Sequence, residues 1–293
     1  MNTAFLGLGV MGYPMAAHLL SVSDAHAVFN RTDEKAARWG DEHGRACVRA
    51  TVAEAVAEAD VVFACLGNDD DVREICLGET GAFANMREGS VFVDHTTTSA
   101  EVARELHARA AAMSLAFVDA PVSGGQAGAE NGQLTIMGGG DAAAWERVRP
   151  LLDCYAKQAR LMGPSGAGQL TKMVNQICIA GLVQALSEGL HFAECAGLDG
   201  RAVVEVISRG AAQSWQMENR YETMLAREFD LGFAVDWMRK DLGIVLDEAG
   251  RNGASLPVTA LVDQFYADVQ KLGGRRWDTS SLIARLQGLG EKT

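Results

Sequence analysis

Two groups of residues in this chain have types and spacings that could do chemistry. The first is Gly7-Leu8-Gly9-Val10-Met11-Gly12, a G-x-G-x-x-G run that follows an apolar strand pattern and precedes a helical one. Its first glycine permits a tight turn, its second lets a pyrophosphate approach the backbone, and its third lets helix and strand pack closely. The N–H groups and dipole of the following helix then hold the anion. In that strand–turn–helix setting an ordinary turn is the weaker reading. Roughly 20 residues on, where an NAD site places Asp or Glu against the ribose 2′-OH, the chain has Asn30-Arg31-Thr32. A neutral side chain removes repulsion there, and a guanidinium can fork onto a 2′-phosphate. NADP(H) is therefore the expected preference, with NAD(H) possible.

The second group is Lys172 and Asn175, inside Gly168-Gln169-Leu170-Thr171-Lys172-Met173-Val174-Asn175. Three residues apart on a helix, they project from one face and can address one substrate. A lone lysine would read as a solvated helix residue, but the spacing and the preceding Gly168 favour a functional one. Ser123-Gly124-Gly125 follows Asp119-Ala120-Pro121 at the end of a strand pattern. Two glycines there permit a concave run of N–H groups suited to a carboxylate, or equally a plain turn. Glu188-Gly189-Leu190-His191 spells E-x-x-H, but one copy does not make a di-metal site, and no metal is expected. Six cysteines lie far apart with no C-x-x-C pair, which suits a reduced, cytoplasmic protein.

The elements that must position these residues fall into two halves. Short apolar runs at residues 3–6, 27–29, 61–66, 91–94, 117–120 and 134–137 alternate with helical stretches rich in alanine, glutamate and arginine. That alternation predicts an α/β Rossmann domain over residues 1–164, with a mostly parallel, doubly wound sheet. Gly138-Gly139-Gly140-Asp141 is read as a turn into a helix. Residues 165–293 are read as all-helical, beginning with a long interdomain helix over about 168–196. Further helices are expected at 200–208, with Asp199 as N-cap, and at 233–252, 257–272 and 279–286. Trp215, Trp237 and Trp277 with Met217 and Met238 are read as core residues of this half, with the lining of a substrate pocket as the alternative.

Composition narrows the partners. A net charge of -12 and 48% hydrophobic content speak against nucleic-acid binding and against disorder. The most apolar stretch, Ile177 to Leu186, contains Gln184 and falls short of the ~20 residues that span a bilayer. A homodimer or homotetramer is expected, because the long helix is apolar on most of its circumference and has more surface than a small helical domain would cover.

Four segments in order over residues 7 to 242 carry a resemblance: Gly7 to Met15 (G-L-G-V-M-G-Y-P-M), Asp119 to Gly125 (D-A-P-V-S-G-G), Gly168 to Asn175, and Lys240-Asp241-Leu242. In these the chain resembles the β-hydroxyacid dehydrogenases, the family of 3-hydroxyisobutyrate dehydrogenase, tartronate semialdehyde reductase and glyoxylate/succinic semialdehyde reductases. The resemblance implies an N-terminal Rossmann domain joined through a long helix to an all-α domain. It also implies a substrate loop at Ser123, Gly124 and Gly125, and a catalytic Lys172 with Asn175 hydrogen-bonded to the substrate. Lys240, with Asp241, would reach the cofactor or substrate side of the cleft, and Thr97 would lie near the nicotinamide ribose. Cys65 and Leu66 would line the cofactor, although the family often has a proline near this place. His95 is expected only to fill space.

In carbonyl reduction a lysine ammonium stabilises the incipient alkoxide and delivers its proton; in alcohol oxidation the neutral amine takes it. The expected activity is NAD(P)-dependent interconversion of a small β-hydroxy acid and its semialdehyde or oxo form. Two alternatives stay open. One is an imine reductase-like enzyme, although such enzymes usually lack a lysine at this position, and the other is a catalytically silent NADP-binding interaction module.

Overall fold

The computed structural model describes residues 1–288. Its contacts divide the chain into two compact units, Met1–Lys172 and Met173 onward.

The first unit is built on an eight-stranded sheet. Strands β1 (Thr3–Leu6), β2 (His26–Phe29), β3 (Val61–Ala64), β4 (Val91–Asp94) and β5 (Ala116–Asp119) are parallel in the order β2-β1-β3-β4-β5. Beyond β5 the sheet continues with β7 (Leu134–Gly140), antiparallel to β5 and to the short β6 (Val122–Ser123), and with β8 (Ala156–Gly163), parallel to β7. Strands buried on both faces must read as continuous apolar runs, and Thr-Ala-Phe-Leu and Val-Val-Phe-Ala are fully buried.

Alternate side chains of each strand enter different cores. Phe5, Phe63 and Val93 join one, with Trp39, Trp145 and Tyr155. Leu6, Val62 and Phe92 join the other, with Val72, Phe83 and Leu106. The helices follow suit: α1 (Gly12–Leu19), α2 (Asp33–His43), α7 (Gly125–Glu130) and α8 (Ala142–Leu152) cover the first face, while α3 (Val52–Val56), α4 (Asp69–Leu77), α5 (Ala82–Asn85) and α6 (Ala100–Ala112) cover the second.

Two expectations need correction here. Gly138-Gly139-Gly140 is not a turn but the end of β7. The strand tolerates glycines because neighbours come close: a Cβ on Gly138 would lie 2.2 Å from the Trp145 ring. Strand β8 was not anticipated, since Ala-Lys-Gln-Ala-Arg-Leu-Met-Gly alternates exposed with partly buried positions and has no apolar run.

Helix α9 (Ala167–Cys195) begins in the first unit and continues into the second. In the second unit its Ala180 and Val183 enter a core with Met238, Leu242, Val262 and Tyr266, and its Leu186 and Leu190 enter another with Val204, Met217 and Met224. The remaining elements are α10 (Gly200–Ile207), α11 (Trp215–Ala226), α12 (Val235–Asn252), α13 (Pro257–Lys271), a 3-10 turn at Thr279–Ser281 and α14 (Leu282–Gly288). Asp199 caps α10 by accepting from the Arg201 N–H, 2.9 Å away.

Helix α12 starts two residues later than expected. The Phe233 N–H is instead held by the Asp278 carboxylate at 2.8 Å, and the same residue starts the 3-10 turn through the Ser280 N–H. Helix α11 was missed, although Ser214 caps it through the Met217 N–H. Met217 and Met238 are buried as expected, but Trp215 and Trp237 are not core residues, being 53% and 39% exposed. The outer face of α9 is also bare, with Val174, Leu182 and Phe192 at 60%, 45% and 70% exposure.

Candidate active site

The strand order reverses between β2-β1 and β3-β4-β5, and in an open α/β sheet that reversal opens a crevice at the carboxyl ends of the strands. The glycine loop lies there, directly after β1. Gly7 has φ +98°, and a Cβ on it would lie 2.4 Å from the Cys65 carbonyl oxygen; a Cβ on Gly12 would lie 1.9 Å from the Gly7 carbonyl oxygen. Gly9, by contrast, faces open space. Turn, open approach and close packing thus fall on the three glycines in the order a pyrophosphate requires. In the first turn of α1 the Tyr13 N–H donates to the Gly9 carbonyl at 2.9 Å, the Met15 N–H donates to the Met11 carbonyl at 3.4 Å and Pro14 has no N–H, so an anion is left to the N–H groups of the loop that leads into the helix. The cradle from Gly7 through Leu8, Gly9, Val10 and Met11 to Gly12 therefore fits a dinucleotide.

Asn30 has a task that the sequence did not announce. Its Oδ1 accepts from the Leu8 N–H at 2.8 Å and its Nδ2 donates to the Thr32 carbonyl at 3.0 Å, tying the loop after β2 to the glycine loop. Arg31 has a side chain 78% exposed and contacts the Asp71 carboxylate at 3.2 Å. Its remaining guanidinium N–H groups can meet a phosphate.

The loops after β3 and β4 are joined as well. The Leu66 N–H donates to Thr96 Oγ1 at 2.9 Å, and the Thr96 N–H donates to Asp94 Oδ1 at 2.9 Å. Thr97 is half-buried beside them. His95 does more than fill space: its ring packs against those of Phe5 and Phe63, with Nδ1 2.6 Å from the Ala120 carbonyl and Nε2 2.8 Å from the Tyr155 hydroxyl. Burial pushes its pKa down to about 4.

Ser123 ends β6 opposite Thr135. Gly124 at φ +134° and Gly125 at φ +63° then turn the chain into α7, and Gly125 faces open space. Conformations of this kind turn successive N–H groups toward one side.

Lys172 lies in the second turn of α9 and is only 7% exposed. Two residues that sequence reasoning missed hold the turn before it. Asp119, at the end of β5, accepts from the Gly166 N–H at 2.8 Å and the Gln169 N–H at 3.1 Å. The Gln169 amide accepts from the Thr98 N–H at 3.1 Å and donates to the Thr96 carbonyl at 2.8 Å. Burial raises the Asp119 pKa, against the opposing pull of its backbone hydrogen bonds.

In the second unit, Asn175 Nδ2 donates to Gln176 Oε1 at 2.8 Å, and Gln176 Nε2 donates to Asp241 Oδ2 at 2.7 Å. Lys240 Nζ lies 3.2 Å from Asp241 Oδ1 and 5.8 Å from the centre of the Trp237 ring. Lys240 and Asp241 are thus no solvated surface pair: the Asp241 carboxylate is buried and linked through Gln176 to Asn175. Gln176 could have been found as the polar member of an inward row, Met173, Gln176, Ala180, Val183, whose other members are apolar.

Among the described residues no cluster of His, Cys, Asp and Glu is arranged to hold a metal, and no helix is long and apolar enough to cross a membrane.

Comparison with known proteins finds matches over nearly the whole chain. Residues 2–163 match the NAD binding domain of 6-phosphogluconate dehydrogenase, and residues 166–286 match the NAD-binding domain of NADP-dependent 3-hydroxyisobutyrate dehydrogenase. An uncharacterized oxidoreductase of Shewanella frigidimarina is 61% identical, with 98% of each chain covered. The 2-hydroxy-3-oxopropionate reductase of Escherichia coli is 35% identical over 98% of this chain and 97% of its own. Among solved structures, Mycobacterium tuberculosis 3-hydroxyisobutyrate dehydrogenase with L-serine superposes with a TM-score of 0.88 at 33% identity, over 98% of this chain and 99% of that one. With the glycine cradle at the switch of its sheet and both halves matched, the chain belongs to the β-hydroxyacid dehydrogenase family and is an NAD(P)-dependent oxidoreductase acting on hydroxyl groups.

Proposed function

We propose that the enzyme interconverts a small β-hydroxy acid and its semialdehyde or oxo form, prefers NADP(H), and uses Lys172 as its general acid and base. The observation that carries this reading is the position of Lys172, 7% exposed in the second turn of α9 and three residues before Asn175, where an amine held away from bulk water acts strongly on charge that develops beside it. When bound, the cofactor supplies or accepts the hydride at the reacting carbon. In reduction, the Lys172 ammonium donates a hydrogen bond to the carbonyl oxygen, gains strength as that oxygen becomes negative, and gives up its proton to form the hydroxyl. In oxidation the neutral amine takes the hydroxyl proton. Asn175 hydrogen-bonds the substrate, and N–H groups at Ser123, Gly124 and Gly125 hold its carboxylate. Lys240, ion-paired with Asp241, adds positive charge for an anionic ligand.

Preference for NADP(H) is supported by the absence of a carboxylate at Asn30 and by the exposed guanidinium of Arg31. A short carboxylate substrate is supported by the relatives, whose names specify 2-hydroxy-3-oxopropionate and 3-hydroxyisobutyrate. We place the enzyme as a homodimer or homotetramer in the cytoplasm, the assembly being supported by the bare apolar face of α9.

The test is turnover of tartronate, succinic and methylmalonate semialdehydes and glyoxylate with NADPH and NADH, in the native enzyme and in Lys172→Ala. Native turnover with at least one acid is expected, and the substitution is expected to lower kcat by ~100-fold or more at nearly unchanged cofactor affinity. Undiminished turnover in Lys172→Ala removes the lysine from the reaction, and tight NADPH binding without any turnover favours a silent binding module.

A further inference from the structure

Helix α9 carries Lys172, and its first turn is fastened to other elements. The cap comes from a strand: Asp119 Oδ1 accepts from the Gly166 N–H at 2.8 Å and lies 3.4 Å from Ser165 Oγ, and Oδ2 accepts from the Gln169 N–H at 3.1 Å. A carboxylate at a helix N-terminus meets both orphan N–H groups and the positive end of the dipole. This one is fully buried, so its hydrogen bonds act without competition from water.

Two glycines make the seat. A Cβ on Gly139 would fall 2.5 Å and 2.6 Å from the two carboxylate oxygens, and a Cβ on Gly168 would fall 2.7 Å from Oδ2 and 2.4 Å from the Met137 carbonyl oxygen. Gly139 stands directly opposite Asp119 across the β5–β7 pairing. Gln169, also fully buried, adds a second fastening through Thr98 N–H and the Thr96 carbonyl on the loop after β4. All of these contacts lie inside Met1–Lys172.

Lys172 follows Gln169 by three residues, about 4.5 Å along the axis and near the same face. Rotating or sliding the first turn would carry the lysine with it while breaking four buried hydrogen bonds. We propose that Asp119 and Gln169 are positioning residues that set the rotational phase and axial height of α9 and so hold the Lys172 amine at the reacting oxygen. This rests on the proposed role of Lys172. A displacement of about 1 Å at a reacting group can cost ~100-fold in rate, so modest loosening of the turn suffices for a kinetic effect.

A double-mutant cycle tests the coupling. Gln169→Leu and Asp119→Asn are each measured alone and combined with Lys172→Ala, for kcat, KM and NADPH affinity. Each single substitution is expected to lower kcat by ~10-fold or more with NADPH affinity within ~2-fold, and to lower kcat by less than ~3-fold when Lys172 is already alanine. Equal losses in both backgrounds, or a loss confined to NADPH affinity, overturn the proposal, because a merely structural residue acts whether or not the lysine is present. Should Asp119→Asn fail to fold, the Gln169 arm decides, with Gln169→Met as a variant of similar length. Lys172→Ala alone reports on the proposed chemistry, so a failure of that reading is seen separately.

Discussion

The two units dispose of their large apolar side chains in opposite ways. In the sheet unit every aromatic of the central strands is hidden: Phe5, Phe63, Phe92 and Phe117 are at most 1% exposed, and the side chains left in solvent are a few valines and methionines such as Val10, Val22 and Met113. The helical unit hides Met238, Leu242 and Tyr266 but leaves Phe192, Trp215, Leu261 and Leu272 more than half exposed. A sheet wrapped on both faces completes its own core, whereas helices each present one stripe inward and need another surface for the rest. The difference teaches that the first unit is closed by its own chain. The second carries the surface for which we propose a second copy.

Acid should separate the units most. Burial depresses both His26 and His95 to about 4, and both lie in the sheet unit. Each is neutral when folded and takes a proton near pH 6.5 when unfolded, so the unfolded chain binds more protons between those values. The contribution is complete above pH 6.5 and is lost as pH falls toward 4, on the order of 3 kcal/mol for each histidine. Chemical denaturation from pH 7 to pH 4, followed by the fluorescence of Trp39 and Trp145 in variants lacking the other tryptophans, should show this loss. A flat profile would place those rings in contact with water.

The bare face of α9 gives the next largest effect. Phe192→Ser and Leu182→Glu should weaken self-association at least ~10-fold while leaving the sheet unit's NADPH affinity unchanged. Light scattering across a dilution series reads the first and a fluorescence titration the second. The same assembly in wild type and variants would assign the partner to another surface. Smallest is the effect of Arg31→Ala, which should raise the KM for NADPH ~10-fold and that for NADH less than ~2-fold. Equal changes would return Arg31 to its ion pair with Asp71.

What the sequence made legible follows the range over which each signal acts. The glycine run and the five parallel strands announce themselves within six or seven residues, because turn geometry and double-sided burial dictate residue type locally. Strand β8 escapes because half of its positions are exposed and Lys157, Gln158 and Arg160 break up any apolar run. Asp119 and Gln169 escape for another reason: their partners are 47 to 73 residues away in sequence, and nothing near Asp119 says that its carboxylate meets a helix yet to come. Lys172 and Asn175 were legible as a spaced pair, but Gln176, which joins Asn175 to Asp241, has meaning only once α12 is in place. Trp215 and Trp237 were misplaced because hydrophobicity fixes what a side chain prefers and not what the fold supplies to cover it.

Cys178 stands on the same outer row of α9 as Val174 and Leu182, and both it and Cys195 are free and exposed. The unmodified protein therefore carries its own footprinting probe. A thiol reagent would mark the first sulfur slowly if another body shelters the middle of that rod and readily if water does, with the second sulfur near the end of the helix as the internal clock.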